Sequence, residues 1–493
     1  MGTDRKTRRL WIPAIVIVIL AFVGWLAWYE LFREEPQQLA NNSMEEAFKY
    51  GSIGAENQNG LPFWIWMVLP RMFPEYLPAP GGYAALGFAW EPGREMPVGF
   101  TRKTIGFERV AINCALCHTA MVRKPGEVVP RLYLGGPGHT MDILAYQRFL
   151  FACASDPRFT AGNILAAVGQ IYQLPWLDRQ LYRFLLVPQT RKTLLKQKKE
   201  FAWTNSRPIW GRGRIDPLNP VKVMLGHGVG NTIGNSDMEP TWNMGPRVQG
   251  KMAFHWDGLN TDFTEVVRNS ALGDGASRRS MPLQSLDRLE KWLLDLPPAK
   301  FESLFPVDRA LAAAGEPIFR QRCADCHAFG GGKTGQVLPL TDEAWGAQQF
   351  AAAPRPLFTD PHRAEEWGPA DAQALNDYTK GYPWAFTHFR STSGYVNVPL
   401  DAIWIRAPYL HNGSVPYLAE MFEVPAKRTK VFYQGDDVYD PVRMGFVAEG
   451  PEAERMGTRL DTAQPGNSNQ GHLWGTDLSD GEKKALLEYL KTL

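Results

Sequence analysis

The stretch INCALCHTAM (112–121) holds Cys114, Cys117 and His118 as a Cys-x-x-Cys-His cluster, and RQRCADCHAF (320–329) repeats it with Cys323, Cys326 and His327. Four of the chain's five cysteines are used in this way. Two thiols at this spacing can each add to one vinyl group of a haem, and the histidine that follows becomes the proximal ligand of the iron. A thioredoxin-like redox pair has no use for that histidine and would not recur. A zinc site shared by both pairs would want them within about 15–20 residues, far less than the interval from Cys117 to Cys323. A disulfide framework belongs to short secreted chains, not to one of 493 residues. The motifs therefore imply two covalent haem c groups, with His118 and His327 as iron ligands. Cys153 is left over and reads as a buried, inert thiol.

Haem c is attached on the outer face of the bacterial inner membrane, so an export signal is expected. Residues 10–29, LWIPAIVIVILAFVGWLAWY, are uncharged throughout and long enough for a hydrocarbon core of ~30 Å. Arg5, Lys6, Arg8 and Arg9 precede them, and Glu30, Glu34 and Glu35 follow. The positive-inside rule then leaves 1–9 in the cytoplasm and the bulk of the chain in the periplasm. A cleaved signal peptide would end its apolar region at a small-x-small exit, which Trp25 and Trp28 spoil around Ala27; an uncleaved single-pass anchor is expected. The net charge of +2 argues against nucleic acid as a partner. The basic run RKTLLKQKK (191–199) reads as a solvated helix face that could also touch the membrane surface.

Beyond the anchor, residues 30–60 read as a polar tether. An N-terminal domain is expected over 61–297 and a C-terminal one over 298–493. Their boundary falls in LLDLPPAKFESLFPVD (293–308), where a helical pattern stops at a proline pair. The second domain opens with an amphipathic pattern over 309–327 running into its Cys-x-x-Cys-His cluster. It closes with LSDGEKKALLEYLKTL, where Ser479 and Glu482 form a capping box and Leu486, Leu487 and Leu490 an apolar stripe. GGGKTG (330–335) echoes a phosphate loop, but position 327 is His where that motif needs Gly. The expected fold is mainly α: two cytochrome c-like domains with long irregular insertions, preceded by one transmembrane helix.

Further segments carry a family resemblance. LGHGVGNTIGNSDMEPTWNMGPRVQGKMAFHWDGLNTDFTE (225–265) resembles the distal region of bacterial di-haem cytochrome c peroxidases and the related MauG proteins. IRAPYLHNGSVPYLAEMF (405–422) resembles their Ala-Pro-Tyr-Phe-His-Asn-Gly-Ser segment. GRGRIDPLNPVK (211–222) and DTAQPGNSNQGHLWGTDLS (461–479) are more similar to the rubber oxygenase, RoxA-like branch of that superfamily. The resemblance implies that Trp256 lies between the two haems as an oxidisable stepping stone. It implies that His472 is the sixth ligand of the C-terminal haem, with His411 the alternative, and that His227 can gate the N-terminal haem. Calcium is implied by resemblance alone.

Peroxidases of this kind carry a carboxylate about twenty residues beyond the Trp-Asp-Gly motif, to move the peroxide proton. Here that count lands near Ala276; Asp274 is the one carboxylate nearby, and Glu265 falls too early. Ala271 and Leu272 suit the apolar distal pocket of an oxygenase better. The resemblance thus implies a di-haem oxidoreductase acting on O2 or H2O2 with a separate redox partner. An oxygenase of unsaturated apolar substrates is preferred to a peroxidase, and a non-catalytic electron-transfer subunit is the alternative of a different class.

Overall fold

A computed structural model describes residues 4–340 and 357–493; residues 1–3 of the expected cytoplasmic segment and 341–356 of the C-terminal half lie outside the described residues. The chain is mostly helical, 43% against 11% strand. Its first helix, Asp4–Phe32, contains the apolar window Pro13–Phe32, none of which is buried against the rest of the protein. By length and composition this helix can cross a membrane, and an export signal passes the same measure.

The stretch 30–60 is more than a tether. Ser43 caps the helix Met44–Tyr50, whose Phe48 and Tyr50 are buried, with Phe48 against Trp292 at a centroid distance of 5.1 Å. Its charges are matched as well: Glu46 by Arg94 at 2.7 Å and Lys49 by Glu91 at 2.8 Å. Two aromatics and paired charges are enough to pack a segment whose composition is polar.

A hairpin leads to the first cluster. Phe100–Ile105 and Phe107–Ile112 pair antiparallel, from Phe100↔Ile112 to Ile105↔Phe107. Gly106 turns the chain at φ 75°, which a side chain would resist. Asn113 follows, 2% exposed. Its Oδ1 accepts from the Ala115 amide, while its Nδ2 donates to the Phe48 and Gly51 carbonyls. The main core behind this turn gathers Phe63, Trp66, Tyr83, Phe100, Tyr146 and Phe149, with Cys153 fully enclosed.

The second cluster sits at the end of helix Arg309–Arg322, capped by Asp308. That helix crosses the last helix, Asp480–Leu490, at Gly315, where a Cβ would collide with the Ala485 carbonyl. Ser479 and Glu482 make the capping box, and Leu486 and Leu490 are buried.

The two sequence halves interlock instead of standing apart. Ala120, Val122 and Trp242 belong to the same core as Trp404, Tyr439 and Leu486, and Tyr133 meets Trp404 edge-on at 5.7 Å. Arg123 bridges to Val438 and pairs with Asp437 at 2.7 Å. Buried ion pairs Lys222–Glu366 (3.0 Å) and Asp257–Arg363 (3.1 Å) also cross the expected boundary. The proline pair at 297–298 ends the helix Leu283–Asp295 without separating two cores.

Candidate functional site

Both Cys-x-x-Cys-His histidines are oriented in the same way. His118 Nδ1 lies 2.8 Å from the Glu239 carbonyl, and His327 Nδ1 lies 2.8 Å from the Val398 carbonyl. A carbonyl can only accept, so Nδ1 carries the proton in each ring and Nε2 keeps its lone pair for a metal. Burial lowers the basicity of both, His118 to about 4, so they stay neutral and competent as ligands. No disulfide joins any of the five cysteines, so the pairs Cys114/Cys117 and Cys323/Cys326 remain available for attachment.

His327 opens on a largely apolar cavity lined by Cys323, Cys326, Leu338, Leu357, Met421 and Phe422, with Trp256, His411 and His472 also on its wall. Of the two histidines weighed as the opposite ligand, His472 is the one that faces His327: their ring centroids are 6.2 Å apart. Two imidazoles bound to one metal atom by bonds of about 2.0–2.1 Å would have centroids about 6 Å apart, since each ring centre lies about 1.1 Å behind its nitrogen. The donor set therefore fits a haem iron between them, and His472 Nδ1 is buried with no hydrogen-bond partner in the protein. His411 instead stacks on Tyr395 at 4.0 Å.

His472 is held in a left-handed conformation, φ 46°, which a non-glycine residue adopts only when its surroundings impose it. Arg428, 2% exposed, imposes it. Its guanidinium donates to the carbonyls of Asn469 (2.6 Å), Gly471 (2.9 Å) and His472 (3.0 Å), and its Nε reaches those of Glu420 and Glu423.

Trp256 connects the two regions. Its Nε1 donates to the Asp237 carbonyl at 2.9 Å, two residues before the Glu239 carbonyl that orients His118. The segment Asp237–Met238–Glu239 thus bonds both the first imidazole and the indole, while the indole lines the His327 cavity. Glu239 is half-buried, and desolvation raises its carboxyl to about 7. The neighbour of Trp256, His255, also has positive φ, 65°. Its Nε2 is enclosed without a partner, and burial, with Arg363 and His118 nearby, lowers it to about 3.

Asp274 ends the helix Phe263–Asp274. Burial lifts its carboxyl to about 7, and it lies within electrostatic reach of Cys114 and Cys117. Ala271 and Leu272, one turn earlier, are buried. Glu265 is engaged elsewhere, accepting from His388 and Thr387. His227 donates through Nδ1 to Asp371 at 2.6 Å. Among the described residues no group of three or more His, Cys, Asp or Glu side chains converges on a metal-ion site; the calcium that the resemblance implies would need carbonyl oxygens. Sequence reasoning missed Glu239, His255 and Arg428. Only His255 carried a signal, as one of nine histidines standing directly before Trp256.

Cysteine pairs beside histidines whose free Nε2 is aimed by a carbonyl are a donor set of the kind that c-type cytochromes use. A family model described as RoxA-like, cytochrome c-like matches residues 394–433. The matched stretch supplies Val398, Tyr395, Met421 and Arg428, the wall of the His327 cavity and the clamp behind His472. It relates the chain to RoxA-like cytochromes and implies haem c. Two Sinorhizobium fredii proteins are similar over longer stretches. One, uncharacterized protein y4iJ, is 25% identical over 476 residues, 78% of this chain and 77% of its own length. The other, uncharacterized protein y4iM, is 28% identical over 297 residues, 52% of this chain and 64% of its own.

Proposed function

We propose that the chain is a membrane-anchored periplasmic oxidoreductase with two haem c groups, one at Cys114, Cys117 and His118, the other at Cys323, Cys326, His327 and His472. The relation to RoxA-like cytochromes and the haem-containing oxidoreductase character rest on the family match. Haem c bound at the first cluster supplies an iron at which O2 or peroxide can be activated. The remaining roles belong to the chain. His118 would present its Nε2 to a haem iron at the first cluster, and His327 with His472 would hold the iron at the other, which would suit that site to electron transfer. Trp256 offers an oxidisable indole between the two. The observation that carries the reading is the Asp237–Glu239 segment, whose carbonyls hold both His118 and Trp256.

The buried Ala271 and Leu272 favour an oxygenase of an apolar, unsaturated substrate. A low-temperature EPR spectrum of the haem-loaded full chain tests the reading. One low-spin signal that disappears in His472→Ala, beside a second iron that binds CO when reduced, is the expected result. Two irons, both closed to CO by protein ligands, would favour an electron carrier instead.

A second reading, peroxide reduction, has its own support in Asp274. A carboxyl near 7 can take and return a proton at neutral pH, a function worth typically 10²–10⁴-fold. Stopped-flow mixing of the half-reduced protein with peroxide separates the two. Slow oxidation indifferent to Asp274→Asn fits the oxygenase, whereas fast oxidation lost in that variant fits the peroxidase.

A further inference from the structure

Among the described residues outside the N-terminal helix, the only aromatic side chains more than half exposed are Trp176 (74%) and Phe184 (73%). They belong to one continuous element: the helix Trp176–Leu181, a π turn over Tyr182–Leu186, and the helix Val187–Glu200. The inner face of this element is ordinary core, with Tyr182, Leu186, Val187 and Leu194 buried. Its outer face carries Leu177 and Leu185 beside the two aromatics, with Arg179 and Arg183 exposed between them. Single exposed apolar residues need no explanation, but a cluster rimmed by cations marks an interaction surface.

The location of this face says what covers it. The end of the helix Asp4–Phe32 is fastened to the tip of the hairpin. Leu31 packs against Gly106, the Gly106 amide donates to the Arg33 carbonyl at 2.7 Å, and the Glu35 amide donates to the Thr104 carbonyl at 3.1 Å. The same hairpin lies near the π turn: Tyr182 is within electrostatic reach of Glu108 and Arg102, and the Arg102 guanidinium sits 3.6 Å over Phe63. Trp64, next to Phe63, stacks on Tyr172 at 4.3 Å, just before the element begins. Asp178, two residues from Trp176, lies within electrostatic reach of Glu30 near the end of the apolar window. The element that carries the exposed face therefore lies beside the end of that helix. Where a spanning helix leaves a bilayer, indole rings and apolar side chains flanked by arginines are favoured by the layer between hydrocarbon and headgroups.

We propose that Trp176, Leu177, Phe184 and Leu185, with Arg179 and Arg183, form a second membrane contact that seats the protein on the periplasmic leaflet of an anionic bilayer beside its own anchor. The proposal rests on the reading that the N-terminal helix spans that bilayer, and the test separates the two. The haem-loaded full chain is reconstituted into phosphatidylethanolamine–phosphatidylglycerol vesicles containing a trace of phospholipid with a photoactivatable acyl chain. Lipid adducts are then mapped by peptide. Adducts on 172–187 as well as on 10–32 are expected. The double variant Trp176→Asp with Phe184→Glu, at solvent-facing positions that leave the core intact, should keep the adducts on 10–32 and lose those on 172–187 by at least about fivefold. Adducts on 172–187 without any on 10–32 would retain the contact and remove the spanning helix. Adducts confined to 10–32 in the unmodified protein, or equal labelling of 172–187 in the double variant, would overturn the proposal.

Discussion

Replacing Arg428 by methionine should loosen His472 without touching it. The guanidinium is the hydrogen-bond donor found for three carbonyls of the loop, those of Asn469, Gly471 and His472. Each buried acceptor stripped of its partner costs about 1–3 kcal/mol, and the values are not additive. The lower end of their sum is about 3 kcal/mol, and methionine keeps the packing of the stem while restoring none of the bonds. At 1.4 kcal/mol per tenfold, the equilibrium between bound and released His472 should move by about 100-fold. An external ligand competing for that iron reads this shift directly. Imidazole or cyanide titration of the haem-loaded protein, followed by absorbance, should show about 100-fold tighter binding at the His327 site in Arg428→Met. Arg428→Lys, which can reach fewer of the carbonyls, should lie between. Unchanged affinity in a correctly folded variant would refute the clamp, or the assignment of His472 as the ligand it holds.

Three further outcomes are expected. His472→Ala should convert one low-spin EPR signal to high-spin and leave the spectrum of the His118 iron alone; an unchanged signal would move the ligand elsewhere. Asp274 holds its proton to about pH 7 in the fold but only to about 3.9 when unfolded. The folded state therefore binds more protons between those values, and its stability should fall as pH rises across them. Urea unfolding at pH 5 and pH 7.5 should show that fall reduced in Asp274→Asn, and an equal fall in both proteins would refute it. Gly315→Ala drives a Cβ into the Ala485 carbonyl and should cost at least about 1–3 kcal/mol, seen as a lower Tm and poorer haem attachment at Cys323; a wild-type Tm would show that the helices can part freely.

The parts of the site legible in the sequence are those set by local chemistry. Cys-x-x-Cys-His needs only two residue types at three neighbouring positions, and the Ser479–Glu482 box only two residues three apart. The opposite case is Arg428, whose partners are backbone carbonyls up to 44 positions away and leave no trace in residue identity. Glu239 orients His118 through its main chain across 121 positions, so its side chain gave no clue. Composition misled over 30–60, where the many polar residues outweighed Phe48 and Tyr50, although these two aromatics decide that the segment packs. The expected division at 297 rested on a helix stop. A stop breaks a helix, but it says nothing about Trp242 and Val122 sharing a core with Trp404.

That shared core constrains the order of assembly. A chain exported from its N-terminus presents Cys114 and Cys117 long before residues 404–446 emerge. Yet His139, close behind the first cluster, finds its stacking partner in Phe446, 3.6 Å away, and Arg123 meets Val438. Contacts this distant in sequence form late. If haem c is attached at this cluster during export, as proposed, its thiols would be offered on an unfolded segment, before burial closes over them. A fragment ending near residue 297 would carry an attachment motif but lack the wall that the C-terminal half builds around it.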